Sequence, residues 1–161
     1  MFLACESKVS LSLTSSGSAK TPTSTGGSGS TENNGTENYT STADCGKVLR
    51  EVYNWDYVNA DSSGRVMRAL CAQIPRNRQK IPAGVPSDIE TANKTGELFI
   101  KDKKGNTIAI QNDAAVIFAP GHPYILVVMS AVPGGGEGQL HREIADLSAQ
   151  VYEAVSAAPE E

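Results

Sequence analysis

The second half of the chain contains three apolar runs of strand length, separated by short polar turns. The runs are ETANKTGELFI (90–100), TIAIQNDAAVIFA (107–119) and YILVVMSAV (124–132). The connections KDKKGN and PGHP carry the glycine, proline and asparagine residues that favour turns. Because strands joined by short turns are antiparallel neighbours, the pattern predicts a three-stranded antiparallel sheet.

Apolar positions at helical spacing predict two helices before this sheet and one after it. The first, STADCGKVLREVYN, opens with Ser41 and Asp44 at the spacing of a capping box. The second, SSGRVMRALCAQI, stops at Pro75 and has an apolar stripe of Val66, Leu70 and Ile74. The last, QLHREIADLSAQVYEAV, carries Leu140, Ile144, Leu147, Val151 and Val155. This last helix can pack on the sheet, so the sequence predicts an α+β fold.

The N-terminal part of the chain differs in composition from the rest. Within residues 1–13, the segment KVSLSLT alternates apolar residues with serines, the period of a short half-buried strand that would extend the sheet. Residues 14–40 are almost all Ser, Thr, Gly, Asn and Glu, and such a composition predicts a flexible loop. Residues 41–158 are expected to form the folded domain.

Charge and composition argue against several classes of function. Eighteen acidic residues against fourteen Lys and Arg give a formal charge of -4, which does not suit a general nucleic-acid binder. No apolar run approaches the ~20 residues that cross a bilayer, so no membrane partner is expected. The N-terminal MFLACESKVS lacks the basic leader and apolar core of a secretion signal, so this sequence does not itself encode export, and the localisation stays open.

Cysteine and histidine usage predicts no metal site. Cys5, Cys45 and Cys71 are an odd set without Cys-x-x-Cys spacing. Neither His122 nor His141 has a cysteine, histidine or carboxylate arranged around it at ligand spacing. We therefore expect neither a metal ion nor a disulfide framework.

The triplet Lys94-Thr95-Gly96 stands at the start of the first predicted strand, inside KIPAGVPSDIETANKTGEL. TSTADCGKVL precedes this segment, and QNDAAVIFAPGHPYILVVMS and the closing helix follow it. Over about residues 36–156, this order resembles the C-terminal part of a class A β-lactamase-related serine hydrolase, a penicillin-recognising fold. The resemblance implies a partial β-lactamase/transpeptidase-like fold that needs no cofactor and acts on β-lactams or D-Ala-type cell-wall peptides.

The resemblance also implies roles for four consecutive residues. Lys94 would place a positive charge at the pocket wall, and the Thr95 hydroxyl would donate to the substrate carboxylate. Gly96 would leave room for a ligand against the strand. The backbone N–H of Glu97 matches a family position that donates to the oxyanion, whereas its side chain is not implied in chemistry. Gln111 stands where many class A enzymes have an arginine, so a second cation for the carboxylate is missing.

The nucleophile and the proton relay of that family are absent from this sequence. Neither Ser-x-x-Lys nor Ser-x-Asn occurs among the 161 residues. Cys5 and Lys8 match a Cys-x-x-Lys pattern only at the N-terminus, and Tyr57-Val58-Asn59 follows a helix that the family places downstream of its relay loop. Glu32 and Glu37 lie near the position of a deacylating glutamate, within a composition typical of a linker.

Two functions therefore remain open. One is a portion of a β-lactamase-like serine hydrolase that is inactive alone and whose site is completed by residues outside this chain. The other is a non-catalytic remnant of that fold that binds a peptide or partner. The resemblance further implies that the strand Tyr124–Val132 is an interior strand, so its edge is expected to pair with the N-terminal segment or to mediate self-association.

Overall fold

The computed structural model describes residues 40–159, which contain three α-helices and three strands. The helices are α1 (Thr42–Tyr53), α2 (Ala60–Cys71) and α3 (Glu137–Ser156), and the strands are β1 (Thr91–Lys101), β2 (Thr107–Ile117) and β3 (Tyr124–Pro133). Two short 3-10 turns, Pro75–Arg78 and Ile81–Gly84, lie between α2 and β1. The predicted strand in residues 1–13 and all but the last residue of the predicted loop 14–40 lie outside the described residues, as do Cys5, Lys8, Glu32 and Glu37.

The three strands form one antiparallel sheet in the order β1-β2-β3, which confirms the predicted sheet and the α+β class. At the β1–β2 hairpin, the Asp102 carboxylate accepts the backbone N–H groups of Lys104 and Asn106, both at 2.8 Å. Gly105 adopts a φ of +83°, a left-handed conformation that glycine reaches without steric cost. This turn sets a register in which Lys101 faces Thr107 and the whole of β1 pairs with β2.

Helices cover both faces of the sheet. α3 packs on one face, where Ile144 and Val151 join a core with Ala115 and Ile117 of β2. α1 and α2 cover the opposite face, and Leu49 is buried there among side chains of β1 and β2. The domain therefore has a helix–sheet–helix arrangement with two small cores, one on each side of the sheet.

The caps of the first two helices explain where they begin. The Ser41 hydroxyl accepts the Asp44 backbone N–H at 3.1 Å, so the predicted capping interaction is confirmed. α2 starts two residues earlier than predicted, because the Asn59 side chain accepts the Ser62 N–H at 2.9 Å and caps the helix there. None of the helices within residues 40–159 has the length and apolar character required to cross a membrane.

The apolar stripe predicted for α2 is only partly correct. Ile74 is 61% exposed because α2 ends at Cys71 and the chain turns away before Pro75. Leu70 packs on the sheet as predicted, but the α2 residues that pack there beside it are Met67 and Cys71 and not Val66. The helical period was right, but the end of the helix removed the last position of the stripe.

Candidate functional site

The triplet lies near the middle of β1, and the pleat of the strand divides its side chains between the two faces of the sheet. In register, Lys94 faces Ala114, Thr95 faces Asp113, and Glu97 faces Gln111. Since successive side chains of a strand alternate, Lys94 and Gly96 share the face covered by α1 and α2, and Thr95 and Glu97 share the face of α3. The four predicted site residues are therefore contiguous along β1, but their side chains are divided between the two faces of the sheet.

Lys94 is exposed, and its ammonium donates to the backbone carbonyl of the neighbouring Thr95. β1 forms an edge of the sheet within residues 40–159. A Cβ added at Gly96 would lie 3.7 Å from the nearest atom, the Cβ of Asn112, which is ordinary van der Waals contact. The strand is therefore accessible beside the exposed cation, whereas Thr95 is only 8% exposed.

The side chain of Glu97 forms an ion pair with a buried lysine, which the sequence did not predict. The Lys80 ammonium is only 1% exposed and lies 3.1 Å from Oε1 of Glu97. It also donates to the backbone carbonyl of Asn112 at 3.2 Å. Arg76 contributes a more exposed contact, 3.5 Å from Oε2 of Glu97. Lys80 therefore links the segment before the sheet to both β1 and β2 directly behind the triplet.

The environment of Glu97 favours its ionised form. Burial of the carboxylate opposes ionisation and is the largest single influence on it. The hydrogen bond and the charge of Lys80, helped by His141 and Arg76, together outweigh that effect and hold the pKa of Glu97 below its usual value. Lys80 thus stabilises the charged state of the Glu97 carboxylate.

His141 of α3 completes this cluster, and its surroundings correct the sequence prediction that no carboxylate lies around it. Its Nε2 is 3.1 Å from Oε1 of Gln111, 3.9 Å from Glu97 and 4.0 Å from Glu137. One imidazole nitrogen and two carboxylate oxygens lie within 4.8 Å of one another, as in some metal sites. However, Lys80 already lies 3.1 Å from the same Glu97 oxygen, and its positive charge would repel a cation.

A second buried polar group fixes the segment 75–84 to the sheet. Asp113 is 1% exposed, and its carboxylate accepts the Ile81 backbone N–H and the Asn93 amide, both at 3.0 Å. Asn93 also donates to the Asn77 carbonyl at 2.8 Å. Burial raises the pKa of Asp113, although these hydrogen bonds oppose the shift. Asn93 immediately precedes Lys94, so this network holds the start of the triplet.

Sequence reasoning missed most of these supporting residues. Glu137 and His141 have an i, i+4 spacing on one helix, and that signal was readable from the sequence. Lys80, Gln111 and Asp113 carried no local signal, since their partners are distant in the chain. Asn59 of the Tyr57-Val58-Asn59 match acts as the N-cap of α2.

The described residues thus combine an antiparallel sheet, a Lys-Thr-Gly triplet on one of its edge strands and a C-terminal helix on one face. The model of the beta-lactamase enzyme family matches residues 6–155. The chain therefore belongs to the beta-lactamase enzyme family. None of the curated proteins matches the sequence.

Solved structures of class A β-lactamases share this fold. The class A beta-lactamase from Bacteroides cellulosilyticus has 18% identity and a TM-score of 0.62, with 72% of this chain and 41% of that protein covered. The TLA-1 extended-spectrum beta-lactamase has 17% identity and a TM-score of 0.64, covering 74% and 43%. The beta-lactamase from Sphaerobacter thermophilus has 20% identity and a TM-score of 0.62, covering 78% and 44%. This chain thus spans about two fifths of the length of these structures.

Proposed function

We propose that this chain is a β-lactamase-like serine hydrolase portion that binds the carboxylate of a β-lactam or a D-Ala-type peptide along β1. The observation that carries the proposal is the exposed Lys94 on an edge strand, directly before Thr95 and the open position at Gly96. An exposed ammonium beside an accessible strand suits a bound carboxylate, because charge-assisted hydrogen bonds to carboxylates are strong.

In this proposal the backbone N–H of Glu97 donates to the oxyanion that develops during acyl transfer. The contacts of Lys80 with the Glu97 carboxylate and the Asn112 carbonyl support the placement of that N–H, because they fix β1 against β2 from behind. Rigid placement matters because oxyanion donors act by preorganisation rather than by moving to meet the charge. Glu97 thus acts through its backbone in catalysis and through its side chain in folding.

The attacking group would come from outside these 161 residues, since they contain no Ser-x-x-Lys. By itself the chain is expected to bind the substrate carboxylate without cleaving the substrate, because a pocket wall without a nucleophile offers only binding and electrostatic help. A non-catalytic remnant that binds some other peptide remains the alternative function.

The test is an NMR titration of the chain with benzylpenicillin. We expect shifts centred on the amides of Thr95, Gly96 and Glu97. Affinity is expected to be on the order of millimolar or weaker, because few contacts are available. Replacing Lys94 with alanine should weaken binding about tenfold, the loss of one charge-assisted hydrogen bond.

The matched control is Lys101→Ala, which removes an exposed lysine from the far end of the same strand. At ~3.3 Å per residue, Lys101 lies about 23 Å from Lys94 along β1, so its loss should leave binding unchanged. Equal weakening by both variants would show nonspecific attraction of an anion and contradict the proposal. Absence of any shift at β1 would favour the non-catalytic alternative.

A further inference from the structure

Three basic side chains surround the Glu97 carboxylate, and they differ in exposure. The Lys80 ammonium lies 3.1 Å from Oε1 of Glu97, and its side chain is 1% exposed. Nε2 of His141 lies 3.9 Å from the same oxygen, and its side chain is 10% exposed. Arg76 lies 3.5 Å from Oε2 of Glu97 and is 70% exposed. Of these three groups, Arg76 is therefore the one that can also contact a ligand in solvent.

Arg76 lies beside the strand that is proposed to bind the ligand carboxylate. Its 3-10 turn, Pro75–Arg78, contacts β1. On β1, the Lys94 ammonium donates to the Thr95 carbonyl. Thr95 and Glu97 are two positions apart, which is about 7 Å at ~3.3 Å per residue. A carboxylate bound at Lys94 would thus lie within reach of the long side chain of Arg76.

The neighbouring strand offers no charge at this position. Gln111 of β2 faces Glu97 in register and is fully buried, and its Oε1 lies 3.1 Å from Nε2 of His141. A guanidinium binds a carboxylate best when its planar fork engages that one group in a bidentate way. Two carboxylates beside Arg76 would therefore compete for its guanidinium.

We propose that the Glu97 side chain determines specificity by competing with the ligand carboxylate for Arg76. This inference rests on the proposed function, because it takes the ligand carboxylate to lie at Lys94. While Glu97 holds Arg76, Lys94 is the cation that binds the ligand. The chain then favours ligands with a single carboxylate, since a second anionic group near Glu97 would be repelled. Once the Glu97 charge is removed, Arg76 becomes a second cation for the ligand.

The test is a double-mutant cycle at Arg76 and Glu97, measured by NMR titration with benzylpenicillin. Glu97→Gln should tighten binding about fivefold, on the scale of one exposed ion pair. Arg76→Ala alone should change the affinity by less than about twofold, because Glu97 already holds the guanidinium. Arg76→Ala combined with Glu97→Gln should abolish the gain. The side-chain N–H resonance of Arg76 should shift during the titration of Glu97→Gln and stay fixed during that of the unmodified chain.

Glu137→Gln is the matched control, because it removes another carboxylate from the same cluster. The Glu137 carboxylate lies 4.0 Å from Nε2 of His141. Its removal leaves Arg76 paired with Glu97, so the affinity should stay within about twofold of that of the unmodified chain. If Glu97→Gln alone does not fold, Lys80→Met with Glu97→Gln removes the buried charge as well and should show the same gain.

The outcomes distinguish this inference from the proposed function. Shifts at β1 in the unmodified chain without tighter binding in Glu97→Gln would overturn the competition and leave carboxylate binding at Lys94 intact. A gain that persists when Arg76 is also replaced, or that Glu137→Gln reproduces, would show a general loss of repulsion and overturn the competition. A large loss from Arg76→Ala alone would do the same, because Arg76 would already bind the ligand. Absence of shifts at β1 in every variant would overturn both proposals.

Discussion

At the scale of single residues, the most consequential contact is the pair formed by Lys80 and Glu97. A buried charge is costly unless it is paired, and the Lys80 ammonium is almost fully buried with the Glu97 carboxylate 3.1 Å away. The Glu97 side chain keeps 22% of its exposure, so solvent screens the pair only in part. Removing one partner should therefore affect the stability of the domain more than an exposed ion pair would.

Truncating Glu97 to alanine should reduce the free energy of unfolding by about 3 kcal/mol, because it leaves the Lys80 charge buried without its anion. Urea unfolding followed by circular dichroism measures this change. The double variant Lys80→Met with Glu97→Gln removes both charges and keeps similar volumes, so it should be much closer to the unmodified protein. If Glu97→Ala were as stable as the double variant, or more stable, the unpaired Lys80 charge would not be the cause of the loss.

The same pair predicts a pH dependence. The pKa of Glu97 is lower in the folded chain than its usual value of 4.5, so the unfolded state takes up a proton first as the pH falls. The stabilisation from Glu97 is therefore fully present above that usual value and is lost as the pH falls through the folded pKa. We expect the stability gap between the unmodified chain and Glu97→Gln to be constant near neutral pH and to narrow under acid conditions.

Asp113 has the opposite effect on the pH dependence of stability. Its contribution cancels when the unmodified chain is compared with Glu97→Gln. Its pKa is raised by burial, so its ionisation lowers stability as the pH rises from its usual value of 3.8 to the raised folded value. Both proteins in the comparison retain Asp113. Urea unfolding of the two at a series of pH values therefore isolates Glu97, and a gap that widens on acidification would show the sign to be wrong.

At the scale of elements, the close packing of the 3-10 turn Ile81–Gly84 against α3 determines how the segment that carries Lys80 packs on the sheet. The Ser148 hydroxyl donates to the Ile81 carbonyl at 2.9 Å. A Cβ on Gly84 would lie 2.1 Å from the Ala145 carbonyl oxygen and 2.7 Å from the Ser148 Cβ. Glycine is therefore required there by the closeness of two backbones, and Lys80 reaches Glu97 from the residue just before this turn.

Placing alanine at Gly84 should cost about 3 kcal/mol of unfolding free energy, the upper range for overpacking, because the obstacle is backbone. Gly46 in α1 gives a matched control, since a Cβ there meets no atom within 4 Å. Gly46→Ala should stabilise the chain by ~0.5–1 kcal/mol through helix propensity. Chemical denaturation of both variants gives the comparison, and equal effects of the two substitutions would refute the packing argument.

At the scale of the whole molecule, the family is established, and the proposed function requires catalytic groups in addition to the substrate-binding strand. The sheet, the triplet strand and the closing helix agree with class A β-lactamases over about two fifths of those proteins. Catalysis of acyl transfer needs a nucleophile and a base in addition to a carboxylate-binding strand. The proposed role of this chain is therefore to contribute the substrate-binding side of a larger site.

The chain alone should form no covalent adduct with β-lactams. Intact-mass spectrometry after incubation with benzylpenicillin should find the unmodified mass, because no Ser-x-x-Lys is present to attack the ring. A class A β-lactamase blocked in deacylation provides the positive control. A stoichiometric gain of one penicillin mass would mean that another residue of this chain is the nucleophile.

The sequence alone determined the strands, the helices and their order, because each rests on local physics. Alternation and apolar runs predicted β1 to β3, and the turn residues Asp102 and Gly105 predicted the connection between β1 and β2. The capping residue Ser41 predicted the start of α1. The triplet on β1 was readable from the sequence, and the order of the segments over about residues 36–156 resembled one family, which indicated the fold. These features depend on residues that are close together in the sequence, so they can be predicted from a short segment.

Only the tertiary structure decided which side chains are buried and what they contact. From the sequence, Lys80 is expected to be a surface residue in a basic stretch, yet it is buried because the turn that directly follows it packs against α3 and the sheet. Ile74 reads as core, yet it is exposed because its helix ends early. Periodicity reports the apolar side of an element, whereas burial and ion pairing depend on which distant elements pack there, and that information is not local in the chain.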